Sequence, residues 1–184
     1  MIIVSAPSGA GKTTIVKHLL KSFPQLGFSV SATSRTIRDG EINGREYYFL
    51  SSDDFKLLID QEKLLEWQEV YAGSYYGTPV SEVERIASNG QFPVFDVDVV
   101  GGLNIKKMFG DKALAIFIRP PSYEILESRL RSRATDSRES LQKRLDKAKW
   151  ELSFEKDFDC VIVNDKLEDA FNQAEKLVTD FLGL

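Results

Sequence analysis

Lys12 and Thr13 follow the small-residue loop Ala6-Pro7-Ser8-Gly9-Ala10-Gly11, and that order is the chemistry of a phosphate grip. Successive backbone N–H groups of such a loop converge on an anion, and the unpaired N–H groups of the helix that opens after it add to them. The backbone from Ser8 through Gly9, Ala10 and Gly11 to Thr14 supplies those donors. Lys12 reaches β/γ-phosphates as a mobile point charge, and the Thr13 hydroxyl ligates Mg²⁺. The spacing is that of G-x-x-x-x-G-K-[ST], with Ala6 where the first glycine is expected. A left-handed alanine would cost about 1–2 kcal/mol, so a negative φ is expected at Ala6. A di- or triphosphate is the expected ligand.

Three further groups of residues carry chemistry. Asp96 and Asp98 form Asp-x-Asp at the end of an apolar stretch, and strand alternation would put both side chains on one face. A carboxylate at a strand end beside a phosphate loop holds Mg²⁺, directly or through water; a solvated strand end is the plainer alternative. Arg35 and Arg38, followed by Tyr47, can offer two guanidinium forks and a neutral donor to one phosphate. On spacing alone they are equally compatible with a solvated surface. Glu66-Trp67 and Tyr75-Tyr76-Gly77-Thr78 form the last group, in which Glu66 could be solvated and Thr78 a simple helix cap.

The elements that must position these residues alternate. Ile2–Val4 reads as a buried strand and Lys12–Ser22 as a helix with Ile15, Val16, Leu19 and Leu20 on one face. His18 on that helix is expected at the surface. Phe28–Ser31 reads as a second strand. From Ser31 to Gln91 short strands and turns take over: Tyr47–Leu50, Leu64–Tyr71 and Ala72–Gly77, with a helix over Ser52–Asp60. Asn43-Gly44 is a hairpin-type turn signal, and Thr78-Pro79 suggests a capped helix start. Alternation then resumes. Strands are expected at Pro93–Val97 (Pro93 leading), Leu114–Ile118 and Cys160–Val163. Helices are expected at Leu103–Met108, Tyr123–Ser132, Ser137–Phe154 and along the Leu167–Phe181 stripe. This pattern implies an α/β fold with a central parallel sheet, ligands gathering at the strands' carboxyl ends.

At 184 residues, 42% hydrophobic and 28% charged, the chain suits one α/β domain with insertions. A net charge of −4 argues against a general nucleic-acid surface. Positive charge is nevertheless concentrated between Arg129 and Lys149, which suggests a local anion partner. No apolar run approaches a membrane span, and a strand starting at residue 2 leaves no room for a signal peptide, so the expected compartment is the cytoplasm. The lone cysteine, Cys160, excludes an internal disulfide and is expected as a buried strand thiol.

Taken together, APSGAGKTT, SVSATSRTIRDGEINGREYYF, LLEWQEVYAGSYYGTP, FDVD, IFIRPPS and VIVND resemble the guanylate kinases in order and approximate spacing, across essentially the whole chain. The resemblance implies a three-layer phosphate-loop kinase fold. Its core would be residues 1–30, 92–122 and 155–184, its small mixed α/β GMP-binding insertion 31–91, and its helical lid 123–154. It implies transfer of the ATP γ-phosphate to GMP, or dGMP, with Mg²⁺, by a monomer or homodimer. It places Ser31, Glu66, Thr78 and Asp98 at the guanine, and Arg35, Arg38, Tyr47 and Tyr76 at the GMP phosphate. Arg133 and Arg144, with Arg129 as a further candidate, become lid arginines; Asn164-Asp165 falls at the adenine edge. The base chemistry agrees: guanine presents adjacent N1–H and N2–H₂ donors to a carboxylate such as Glu66, and its O6 accepts from a hydroxyl such as Thr78 or Ser31. The expected catalytic set is Lys12, Arg38, Arg133 and Arg144, with Thr13 and Asp96 on the metal. Departures from the family pattern are Ala6, Val100-Gly101 in place of Gln-Gly, Ala134 in Arg133-Ala134-Thr135, and the Trp67–Tyr75 spacing. The rival expectations are a non-catalytic guanylate-kinase-like binding domain and a phosphate-loop kinase for another small phosphorylated acceptor.

Overall fold

The computed structural model describes residues 1–132 and 138–184. In chain order the elements are β1 (Ile2–Ser5), α1 (Lys12–Ser22), β2 (Leu26–Ser29), β3 (Ala32–Thr33), β4 (Tyr48–Phe49), α2 (Ser52–Asp60), β5 (Leu64–Tyr71), β6 (Ser74–Pro79) and α3 (Val80–Ser88). There follow β7 (Phe92–Asp96), α4 (Val99–Phe109), β8 (Leu114–Arg119), α5 (Tyr123–Arg131), α6 (Arg138–Leu152), β9 (Cys160–Val163) and α7 (Leu167–Leu182). Contacts divide the chain into two units, Met1–Pro24 with Asp96–Leu184, and Gln25–Phe95.

In the first unit β8 lies between β1 and β9, all parallel, with Ile3 opposite Ala115 and Ile118 opposite Ile162. Ile2, Ile3 and Val4 are all fully buried although alternate residues face opposite ways, so both faces of the sheet are covered. Gly102 of α4 comes so close to β1 that a side chain there would collide with Ser5 Oγ and crowd Ile3. Helices α1 and α7 pack on one another and on β1 and β9. His18 is half-buried at the edge of that packing rather than fully at the surface: its ring stacks on Phe171 at 3.8 Å, and Nε2 lies 2.7 Å from Glu175 Oε1. Cys160 is half-buried rather than buried, because β9 is the last strand of its sheet. No helix among the described residues is long and apolar enough to cross a membrane.

In the second unit β4, β3, β6 and β5 form a mixed sheet in that order. Strands β3 and β4 run parallel, so Asn43-Gly44 sits in a crossover loop and not in a hairpin; Gly44 N–H donates to Tyr47 O at 2.8 Å. Strand β2 begins earlier than its apolar residues suggest and pairs in parallel with β7, where Pro93 is the second residue, opposite Gly27. The buried Glu82 of α3 ties this unit together, accepting from Val30 N–H at 2.8 Å and Tyr48 Oη at 3.0 Å while pairing with Arg85.

Candidate functional site

Strand β1 runs out into the small-residue loop, and Gly11 caps α1 with φ 97°, a left-handed conformation that glycine adopts without penalty. A side chain at Gly11 would also overlap Asn164 Nδ2. The only non-glycine residue with positive φ among those described is Glu62, so Ala6 holds the negative φ expected of it. The first turn of α1 carries no acidic residue that would repel an incoming anion.

Lys12 Nζ lies 2.6 Å from Asp96 Oδ1 and donates to Val97 O at 2.7 Å. Thr13 Oγ1 donates to Asp96 Oδ2 at 2.8 Å. The Val97 N–H reaches Val4 O at 3.3 Å, which carries Asp96 to the carboxyl end of β1 beside the loop. A hydroxyl and a carboxylate oxygen side by side are hard donors of the kind Mg²⁺ takes, and Mg²⁺ fills its remaining positions with phosphate oxygens and water. Among the described residues no cluster of three or more His, Cys, Asp or Glu could hold a metal.

Asp98 departs from the strand expectation. β7 ends at Asp96, and Asp98 is the N-cap of α4, its Oδ1 accepting from Gly101 N–H at 2.9 Å. The two carboxylates therefore part: one faces Lys12 and Thr13, the other opens a helix, and Val100-Gly101 forms that helix's first turn. Asp98 Oδ2 remains 3.7 Å from Lys147 Nζ.

Helix α6 brings Arg144 to the loop. Arg144 Nη2 donates to Ser8 Oγ at 2.9 Å. Arg129 on α5 donates to Asn164 O at 3.2 Å. The Asn164 side chain is buried, and its amide nitrogen donates to Ala10 O at 2.7 Å, which ties it to the phosphate loop. Arg133, with Ala134 and Thr135, lies outside the described residues.

The second unit gathers the other predicted residues. Arg35 is gripped by Glu41 through both oxygens, Nη1–Oε2 at 2.7 Å and Nη2–Oε1 at 2.6 Å. Glu41 Oε2 also accepts the Arg38 N–H at 2.8 Å. The Asp39-Gly40 turn makes this possible, folding Glu41 back so that its own N–H reaches Arg38 O. The Arg35 fork is the main cause that holds the Glu41 carboxyl down at about 2, despite the opposing cost of burial. The Arg35 guanidinium stands 5.1 Å from the centre of the Tyr47 ring, and Tyr47 packs edge-on against Tyr76 at 5.9 Å. An open groove of about 570 Å³ is lined by Arg35, Arg38 and Tyr76 together with Ser34 and Gly73. Arg38 is exposed there.

Glu66 and Thr78 face each other across β5 and β6. Both are buried, and Thr78 Oγ1 donates to Glu66 Oε1 at 2.7 Å. Thr78 is not a helix cap: Pro79 takes the cap position of α3, and no side chain bonds there. Ser31 is half-buried, its carbonyl accepting the Tyr48 N–H at 2.9 Å.

The guanylate kinase family model matches residues 1–181. A guanylate kinase of Bacteroides fragilis is 50% identical over 184 residues, covering 100% of this chain and 90% of that protein. One from Porphyromonas gingivalis is also 50% identical, with 100% and 98% covered. The crystal structure of guanylate kinase from Anaplasma phagocytophilum superposes with a TM-score of 0.76 at 28% identity, over 98% of this chain and 84% of that one. The chain belongs to the guanylate kinase family. Its α/β fold with a central parallel sheet is that family's.

Set in the guanylate kinase family, the expected residues fall into three local sets: Lys12, Thr13 and Asp96; Arg144 with Ser8; and Arg35, Arg38, Tyr47 and Tyr76, with Glu66 and Thr78 on neighbouring strands. Sequence reasoning gave no role to Glu41 or Glu151. The signal for Glu41 lay in Arg-Asp-Gly-Glu, where a turn returns a carboxylate to the arginine before it. Glu151 carried no local signal, because its partner Ser8 is 143 positions away.

Proposed function

We propose that the chain transfers the γ-phosphoryl group of ATP to GMP, giving ADP and GDP, with Mg²⁺ on the donor phosphates. An oxygen of the GMP phosphate forms the new bond to the γ-phosphorus, and the bond from that phosphorus to the β,γ-bridging oxygen breaks. No side chain needs to bond to phosphorus; the work is alignment and neutralisation of charge.

The loop from Ser8 to Thr14 cradles the ATP phosphates through the N–H groups that follow Ser8, Asn164 holds that loop, and Lys12 shifts between Asp96 and the phosphates. Thr13 and Asp96 would hold Mg²⁺, which would supply neutralisation of the phosphate charge when bound. Arg144, with Arg133, answers the charge on the migrating group. Arg35, Arg38, Tyr47 and Tyr76 hold the acceptor phosphate. Glu66 takes the guanine N1–H and N2–H₂; Thr78 and Ser31 address O6, with Asp98 at the base edge.

The observation that carries this reading is the buried Glu66–Thr78 pair, bonded at 2.7 Å. A carboxylate is kept out of water at a cost that a polar ligand edge offsets. The same pair speaks against a kinase for a different acceptor, and the intact Lys12–Asp96–Thr13 group speaks against a non-catalytic binding domain. The test is ATP consumption with GMP, AMP, CMP and UMP in turn. GMP alone should support rapid turnover; equal use of another nucleotide refutes the Glu66 assignment.

A further inference from the structure

Glu151 on α6 is only 3% exposed, and nothing in the transfer scheme uses it. A carboxylate taken out of water costs free energy unless it is paired and hydrogen-bonded. Its Oε2 accepts the Ser8 N–H at 3.4 Å, and its Oε1 lies 3.5 Å from Lys147 Nζ. Burial is the main influence on its acidity and moves the carboxyl above the ordinary range, with Lys147 opposing. The ionised group thus costs stability, and an apolar residue would relieve that cost. Packing alone does not account for it.

The neighbours give it a purpose. Arg144, Lys147 and Glu151 share one face of α6, since steps of three, four and seven residues return to the same side. Ser8 is tied to that face twice: its hydroxyl accepts from Arg144 at 2.9 Å, and its backbone N–H goes to Glu151. Two ties on one residue fix both the position and the rotation of the loop against the helix.

We propose that Glu151 is a positioning residue: through the Ser8 N–H it holds the phosphate loop in register with α6, so that Arg144 stands where the migrating phosphoryl group develops charge. The inference rests on reading the loop as the ATP site. It predicts a residue whose loss spares folding and harms turnover.

The test is steady-state kinetics of the full chain and of Glu151→Gln and Glu151→Leu, varying ATP at saturating GMP and then the reverse, beside thermal melts. Gln keeps an acceptor but loses the charge, and kcat/KM for ATP should fall about fivefold. Leu removes the tie, and the fall should reach about 50-fold, carried by kcat. The KM for GMP should stay within about twofold, and the melting temperature should match or exceed the parent's. The inference is overturned if a folded variant keeps kcat/KM for ATP within twofold, if the KM for GMP rises in proportion, or if melting temperature falls in step with activity. Should Glu151→Leu not fold, Glu151→Gln decides by the same thresholds. A parent that does not turn over ATP with GMP overturns the reading of the site itself; an active parent matched by its variants overturns only the role of Glu151.

Discussion

Replacing Glu41 by Gln separates two views of the acceptor arginine. In one, Glu41 holds Arg35 ready for a phosphate; in the other, it competes with that phosphate for the guanidinium. The grip is bidentate, at 2.7 and 2.6 Å, and the same carboxylate takes the Arg38 N–H. Lowering the carboxyl from 4.5 to about 2 corresponds to about 3 kcal/mol. Its side chain keeps 18% of its exposure, and solvent screening reduces the usable part to about 1–1.5 kcal/mol. If that energy pre-organises Arg35, Glu41→Gln should raise the KM for GMP about tenfold and leave the KM for ATP unchanged. A coupled assay of ADP release at saturating ATP, with GMP varied, measures this. A fall in the KM for GMP would show competition and refute pre-organisation, as would a value within twofold of the parent. The same ion pair carries a pH signature. A carboxyl whose folded value is depressed contributes stability that is complete above about 4.5 and is lost as pH falls towards about 2. Across that window the parent should lose about 1 kcal/mol more stability than Glu41→Gln, as read by urea melts.

If Glu66 receives the guanine donors, Glu66→Ala removes their partner and strands Thr78, so kcat/KM for GMP should fall at least about 10²-fold while ATP-analogue binding by calorimetry stays near parental; equal loss of both counts against the assignment. Arg144→Ala should lower turnover by roughly 10³-fold, and a loss of only a few-fold would remove Arg144 from the transition state. Gly11→Ala forces a side chain onto Asn164 at a left-handed backbone position. It should cost about 1–3 kcal/mol by denaturant melts and abolish nucleotide binding; a fully stable, ATP-binding variant would contradict the loop geometry.

What the sequence determined by itself was local. The strand–loop–helix at the start of the chain follows from apolar residues giving way to glycines. Helix α2 spans Ser52–Asp60 as its pattern requires, because Ser51 caps it by accepting the Asp54 N–H at 3.0 Å. Strand β5 and helix α7 likewise carry their period and their stops within their own residues. Thr78 beside Pro79, Asp98 two residues after Asp96, and His18 on an amphipathic helix each satisfied a local rule that the fold set aside. Thr78 found Glu66, Asp98 found the Gly101 N–H, and His18 found Phe171 and Glu175.

Only the tertiary structure decided which polar group meets which. A hydroxyl, amide or carboxylate takes the partner that burial brings to it, and for Ser8 and Arg144 that partner lies 136 positions along the chain. Periodicity records which face of an element is apolar; it holds no record of the group that stands opposite. Motif spacing therefore marked the candidate phosphate ligands, while the contacts that Glu41, Asn164 and Glu151 make beside them came from packing.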